Sequence, residues 1–272
     1  MDRIEKALAK AREQRLQHAQ AHGSPPAALA FPAAPAPAIG SPMTRVEALA
    51  AGTLRDRRII AGFAQDPHAD LFRMLRAQIL QKLADGGGTT LGICSPNPGD
   101  GKTLMAANLA VSMAMDANHT VLLADLDLRR PSLAECFGLT MQEGLSDYLF
   151  DGAPLSDCLV NPGIDRLVLL PAGRALSNSS EALSSPQMVN LARELKARYP
   201  DRFVIYDLPP LLSSDDALVF LPQVDATLLI VREGKTNAGE VQRAIELLDQ
   251  RNLLGTVLNG SAEANSHPYL YP

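Results

Sequence analysis

The sequence has no tryptophan, and aromatic side chains make up only 4% of its 272 residues. Its core must therefore be aliphatic. Three cysteines, Cys94, Cys136 and Cys158, are scattered, odd in number and form no Cys-x-x-Cys pair, which points away from a disulfide scaffold and from a zinc site. The five histidines show no metal-ligand spacing. No eighteen consecutive residues are apolar, so a membrane span is not expected. The charged start Met1-Asp2-Arg3-Ile4-Glu5-Lys6 does not read as a signal peptide. A net charge of −5 argues against a nucleic-acid partner. The expected location is the cytoplasm, with any membrane association supplied by a partner.

What is present is a chain with 46% apolar residues, long enough for one large α/β domain with appendages. Residues 1–20 read as a short helix with a thin apolar stripe (Ile4, Leu8, Ala11) among basic residues, suited to fraying or to docking on a partner. Residues 21–58 read as a Pro/Ala-rich linker followed by a surface segment carrying Arg55, Arg57 and Arg58. From residue 59 to 262 strand-like and helix-like patterns alternate. Continuous apolar runs between helices predict a doubly wound, mostly parallel sheet with helices on both faces. Residues 263–272 read as a flexible tail containing Tyr269 and Tyr271.

The stretch Ser95-Pro96-Asn97-Pro98-Gly99-Asp100-Gly101-Lys102-Thr103 stands between a strand-like run and a helix-like run. Gly99, Gly101, Lys102 and Thr103 have the arrangement of a phosphate-binding P-loop. Glycines allow several backbone N–H groups to converge on one anion, at the positive end of the following helix. Lys102 adds a cation, and the Thr103 hydroxyl a ligand for Mg²⁺. Pro96 stands where the standard pattern has its first glycine.

Two acidic strand ends follow. Val121-Leu122-Leu123-Ala124 runs into Asp125, with Asp127 just beyond, and Phe203-Val204-Ile205-Tyr206 runs into Asp207-Leu208-Pro209-Pro210. Parallel sheets present functional groups at the carboxyl ends of their strands. A lone Asp there is commonly a turn residue, but three on two strands downstream of a P-loop are harder to dismiss.

A charged helix is predicted from about Asp66, with Asp66 as cap and Pro67 in the first turn. Leu71, Leu75 and Ile79 would form its buried stripe, while Asp70, Arg73 and Arg76 share another face.

Taken together, the P-loop, the Leu-Leu-Ala-Asp-Leu-Asp-Leu-Arg-Arg-Pro run and the Ile-Tyr-Asp-Leu-Pro-Pro run resemble the Walker A, A′ and B motifs of the bacterial tyrosine kinases, or BY-kinases. These belong to the deviant P-loop group that includes the Min and Par partition ATPases. The resemblance covers roughly residues 59–261. It implies an autokinase that uses ATP and Mg²⁺ and regulates exopolysaccharide or capsule assembly. Pro98, Gly99, Asp100, Gly101, Lys102 and Thr103 would cradle the phosphates, and Asn259 would lie near adenine. Thr103, Asp125 and Asp207 would serve the metal. Lys102, Asp125 and Asp127 would be catalytic, with the choice of base between the two aspartates left open. Arg129 matches the A′ arginine. Asp70, Arg73 and Arg76 would pack subunits in a homo-oligomer, with Asp in place of the family's usual Glu. Tyr269 and Tyr271 would be autophosphorylated, although the family's tails are typically richer in tyrosine.

The resemblance also implies a separate membrane-spanning activator, a polysaccharide chain-length or co-polymerase protein, which would recruit the kinase to the inner face of the membrane. Partition ATPases usually carry a lysine early in the P-loop, and Ser95 to Pro98 include none. The competing readings are a non-kinase ATPase switch of the Min/Par type, a pseudo-kinase scaffold, and an interaction module with a vestigial site.

Overall fold

The computed structural model describes residues 44–140, 143–198, 201–248 and 253–261. The expected N-terminal helix, residues 21–43 of the linker, and the tail with Tyr269 and Tyr271 lie outside the described residues.

Among the described residues one sheet contains β1 (Arg45–Val46), β2 (Thr90–Cys94), β3 (Thr120–Asp125), β4 (Val160–Asn161), β5 (Leu167–Leu170), β6 (Arg202–Asp207), β7 (Ala226–Arg232) and β8 (Leu253–Asn259). Their spatial order is β1-β4-β5-β3-β6-β2-β7-β8. From β5 to β8 all neighbours run parallel, while β4 runs antiparallel to β5 and carries β1 with it. The helices are α1 (Ala51–Asp56), α2 (Ala69–Gly86), α3 (Lys102–Ala114), α4 (Leu133–Phe137), α5 (Leu145–Phe150), α6 (Leu155–Cys158), α7 (Ser179–Leu183), α8 (Pro186–Ala197), α9 (Asp216–Phe220) and α10 (Ala238–Leu247).

Every residue of β2 is buried, as a strand covered on both sides requires. Alternate residues of the strands feed two separate cores. Leu122, Ala124, Val204 and Tyr206 pack with Leu183, Met188, Leu191 and Phe220 on one face. Val121, Leu123, Ile93 and Ile205 pack with Ile79, Leu83, Leu109 and Met113 on the other. This is the predicted doubly wound architecture. The helix ends obey local chemistry: Ser185 Oγ accepts the Met188 N–H ahead of Pro186, and Asn237 and Glu240 form a reciprocal capping box.

Two local expectations are corrected. Helix α2 begins at Ala69, so Pro67 is outside it; Asp66 Oδ1 instead accepts the N–H of His68, the residue that precedes the helix. Its stripe is also displaced. Ile79 is buried at 2% exposure, but Leu71 is 48% exposed, and Ala69 and Leu83 complete the buried face. Phe72 and Leu75 pack half-buried against the same core, so the covered face runs through Phe72, Leu75, Ile79 and Leu83 and leaves Leu71 beside it. Residues 45–58, expected as a surface segment with a short helical stretch, have no buried residue and contain α1, with β1 added on the sheet edge.

The topology places the acidic strand ends together. Strand β6 lies between β3 and β2, with Asp207 opposite both Asp125 and Ile93. The P-loop leaves β2 immediately beside them.

Candidate functional site

The loop after β2 is held open from all sides. Gly99 and Gly101 adopt φ of 80° and 93°, conformations that glycine reaches without a steric penalty. A Cβ on Gly101 would come within 2.1 Å of Asn259 Nδ2. That Asn259 amide donates to the Asp100 carbonyl at 2.8 Å. The buried Asp100 carboxylate accepts the Asn97 N–H at 3.0 Å and the Thr236 hydroxyl at 3.0 Å. Lys235 Nζ donates to the Pro98 carbonyl at 3.3 Å. The front of the loop continues the sheet: Leu211 and Leu212 N–H groups donate to the Ser95 and Pro96 carbonyls at 2.8 and 3.1 Å. Pro96 supplies an acceptor there and is not asked for a donor, which accounts for its tolerance.

Lys102 begins α3 and is almost wholly buried. Its Nζ lies 3.0 Å from Asp127 Oδ2 and 3.5 Å from Asp207 Oδ1. Burial opposes the ammonium charge, but the carboxylates of Asp207 and Asp127 outweigh it and hold the Lys102 pKa above its ordinary value. Thr103 Oγ1 donates to Asp207 Oδ2 at 2.5 Å and is 3.0 Å from Ser132 Oγ. Burial is the main force raising the Asp207 pKa, against the pull of Lys102 and Thr103.

The two aspartates of the β3 loop differ. Asp125 Oδ1 accepts the Asp127 N–H at 3.0 Å, and Oδ2 accepts those of Ser132 and Leu133, both at 2.9 Å. Burial, with Asp207 adding to it, pushes the Asp125 pKa from 3.8 up to about 7, even against those N–H donors. Asp125 therefore organises its own loop. Asp127 instead lines a cavity of 710 Å³ with Pro98, Gly99, Gly101, Lys102 and Thr103.

This donor set fits a magnesium nucleotide. The cradle offers a bare loop, a buried ammonium and the N-terminus of a 13-residue helix. Thr103 Oγ1, Ser132 Oγ and the Asp207 carboxylate are hard oxygens gathered at its edge. Among the described residues no three His, Cys, Asp or Glu side chains group as a metal cage. Mg²⁺ suits such a partial set, because it keeps waters and takes part of its coordination from substrate phosphates.

The structure thus gathers Gly99, Gly101, Lys102, Thr103 and Asp127 about one cavity, with the fully buried Asp207 and Asp125 behind them. Asn259 braces the loop from its far side. Of the helix face, Asp70 and Arg73 form a surface ion pair, whereas Arg76 Nη1 donates to the Ser112 carbonyl of α3 at 2.6 Å. Arg76 is thus tied within the subunit. Sequence reasoning gives no role to Ser132, and reads Lys235 and Thr236 only as the end of the strand-like run that begins at Val231.

Among the described residues no helix is long and apolar enough to cross a membrane. A scan against protein-family profiles finds no match. Individual proteins do match. The tyrosine-protein kinase YwqD of Bacillus subtilis (strain 168) is 32% identical over 206 residues, covering 75% of this chain and 86% of that protein. The succinoglycan biosynthesis transport protein ExoP of Rhizobium meliloti (strain 1021) is 31% identical over 207 residues, covering 74% of this chain but 26% of that longer protein. Among solved structures, the kinase domain of Escherichia coli tyrosine kinase ETK superposes with a TM-score of 0.71 at 27% identity, covering 84% of this chain and 93% of that one. The septum site-determining protein MinD of Pyrococcus horikoshii, solved with Mg-ADP, reaches 0.54 at 23% identity over 64% of this chain and 72% of its own, a likeness of fold alone.

Proposed function

This chain belongs to the bacterial tyrosine-protein kinases, and from that premise we propose that it transfers the terminal phosphoryl group of Mg²⁺-ATP to tyrosines of its own kind, Tyr269 and Tyr271 first. The observation that carries this reading is the contact of Lys102 with Asp127 and Asp207, and of Thr103 with Asp207, at 2.5–3.5 Å, directly behind a cavity lined by Lys102, Thr103 and Asp127. Pro98 to Thr103 cradle the phosphates. ATP brings the transferable group, and Mg²⁺ neutralises its charge. Thr103 and Asp207 hold the metal side of the site. Lys102 meets the phosphate charge. Asp127, on the cavity wall, faces the incoming tyrosine hydroxyl, while Asp125 fixes the loop that carries it. Asn259 reaches adenine through the carbonyl end of its amide, since the nitrogen is bound to Asp100.

The wider setting is exopolysaccharide or capsule assembly, a reading supported by the name of the relative ExoP. Within it the protein works in the cytoplasm, recruited to the inner face of the membrane by a membrane-spanning chain-length or co-polymerase activator. It associates with copies of itself through the Asp70, Arg73 and Arg76 helix.

The test is to incubate purified protein with Mg²⁺-ATP, with and without the cytoplasmic segment of a candidate activator, and to assay phosphotyrosine alongside ADP. Tyrosine phosphate that vanishes in Lys102→Met supports the kinase. ADP without phosphotyrosine would favour an ATPase switch.

A further inference from the structure

Outside the set already described, one buried charge is held by three separate loops. The Asp216 carboxylate, 1% exposed, opens α9 beyond β6. Its Oδ2 accepts Arg129 Nε at 2.7 Å and its Oδ1 accepts Arg129 Nη2 at 3.2 Å. Ser179 Oγ, from the start of α7, donates to Oδ2 at 2.8 Å, and Ser214 adds a further side-chain hydrogen bond. Burial opposes this carboxylate's charge, yet the bonds from Arg129, Ser179 and Ser214 hold its pKa below the usual value. A buried charge with this many partners is a deliberate junction, because a missing partner would leave it uncompensated.

What the junction fixes is Arg129. This side chain is 44% exposed and lines the same 710 Å³ cavity as Lys102, Thr103 and Asp127. A half-exposed arginine has many rotamers. A fork-on-carboxylate pair removes that freedom and sets the plane of the guanidinium. Asp216 takes only the Nε–Nη2 edge, so the opposite edge is left for the cavity. The Leu128 carbonyl, one residue earlier, accepts the Leu176 N–H at 2.8 Å, which pins the backbone from the other side.

We propose that Asp216 is a positioning residue for phosphoryl transfer: it holds Arg129 at the cavity with one guanidinium edge free for an anionic ligand, and it keys the loops after β3, β5 and β6 to one another. The inference rests on the reading of the cavity as the nucleotide site. Asp216 itself does not line that cavity and acts through Arg129.

The test is a double-mutant cycle on the full chain with Asp216→Asn, Arg129→Ala and both together. It measures kcat and KM for ATP in phosphotyrosine formation, the Mg²⁺-ATP dissociation constant and the thermal midpoint. Asp216→Asn is expected to lower kcat/KM about tenfold or more, the scale of a lost outer partner of a reacting group. In the Arg129→Ala background it should have almost no further effect. An equal loss in both backgrounds, or a loss that merely follows the thermal midpoint, overturns the proposal. Should Asp216→Asn not fold, Arg129→Lys is the second variant. It keeps the charge at a half-exposed site but cannot form the fork, so it should show the same loss; wild-type turnover in it overturns the proposal. A wild-type protein that binds Mg²⁺-ATP but yields no phosphotyrosine counts against the kinase reading alone. The cycle is then read on ATP affinity, where additive effects overturn the positioning role.

Discussion

Thr103 Oγ1 and Asp207 Oδ2 share a hydrogen bond of 2.5 Å between the first turn after the P-loop and the end of β6. The hydroxyl and the carboxylate are joined directly. Asp207→Asn is expected to lower Mg²⁺-dependent nucleotide affinity and to cut phosphotyrosine formation by about a hundredfold or more, the scale of a lost charge-stabilising group. Calorimetric titration with ATP in the presence and absence of Mg²⁺ checks it. An affinity gain from Mg²⁺ as large as in the wild type would contradict the assignment.

Lys102→Met should abolish phosphotyrosine and also destabilise the protein. It leaves Asp207 and Asp127 buried beside Asp125 without their shared cation, a loss of about 3–5 kcal/mol at neutral pH for a broken buried pair. Denaturant unfolding measures it. The deficit should shrink at pH 5, because Asp207, whose pKa burial raises, can take up a proton instead.

Asp125 predicts a pH slope in the wild type. Its pKa rises from 3.8 to about 7 on folding, so the folded state binds the extra proton. Stability contributed by this group is therefore greatest near pH 4 and falls as pH rises towards 7. Thermal unfolding without nucleotide should show that decline, and Asp125→Asn should flatten it.

Gly101→Ala places a Cβ 2.1 Å from Asn259 Nδ2 on a backbone at φ 93°. The backbone conformation alone costs about 1–3 kcal/mol in a non-glycine residue. Adding Asn259→Ala should relieve the clash and recover part of the loss in thermal midpoint, leaving the backbone part. No recovery would mean that Asn259 moves aside freely.

The α2 face predicts two separable effects. Arg73→Glu should weaken self-association, measured by sedimentation velocity, with little change in thermal midpoint. Arg76→Ala should lower the midpoint, by about 1 kcal/mol of lost hydrogen bonding, because its partner is the Ser112 carbonyl of the same subunit.

Tyr269→Phe combined with Tyr271→Phe should remove most phosphotyrosine and leave Mg²⁺-ATP affinity unchanged. Undiminished labelling would place the acceptor elsewhere.

The sheet and its long helices were legible because buried strands such as Val121–Ala124 and Val204–Tyr206 are continuous apolar runs, a pattern that survives without knowledge of their neighbours. The P-loop was legible for the same reason, since its glycines answer to local backbone geometry. Strands β1 and β4, two residues each, were not, because their pairing depends on an edge that no local pattern announces. Leu71 misled because apolar spacing alone does not say which of two adjacent apolar residues faces the core: Phe72 packs there and Leu71 does not. The separate duties of Asp125 and Asp127 were equally hidden. Two residues apart on one loop, they differ only in what the fold brings to each: three backbone N–H groups to one, Lys102 and open cavity to the other.

The placement of β6 between β2 and β3 also sets a timetable. During synthesis the P-loop emerges about a hundred residues before Asp207, and until β6 inserts, β2 and β3 have no shared edge. The nascent chain cannot pair this hydroxyl with its carboxylate until β6 is made, and the braces on the P-loop from Lys235, Thr236 and Asn259 come later still. The contacts that shape the loop are thus complete only once the last strand of the sheet, β8, is in place.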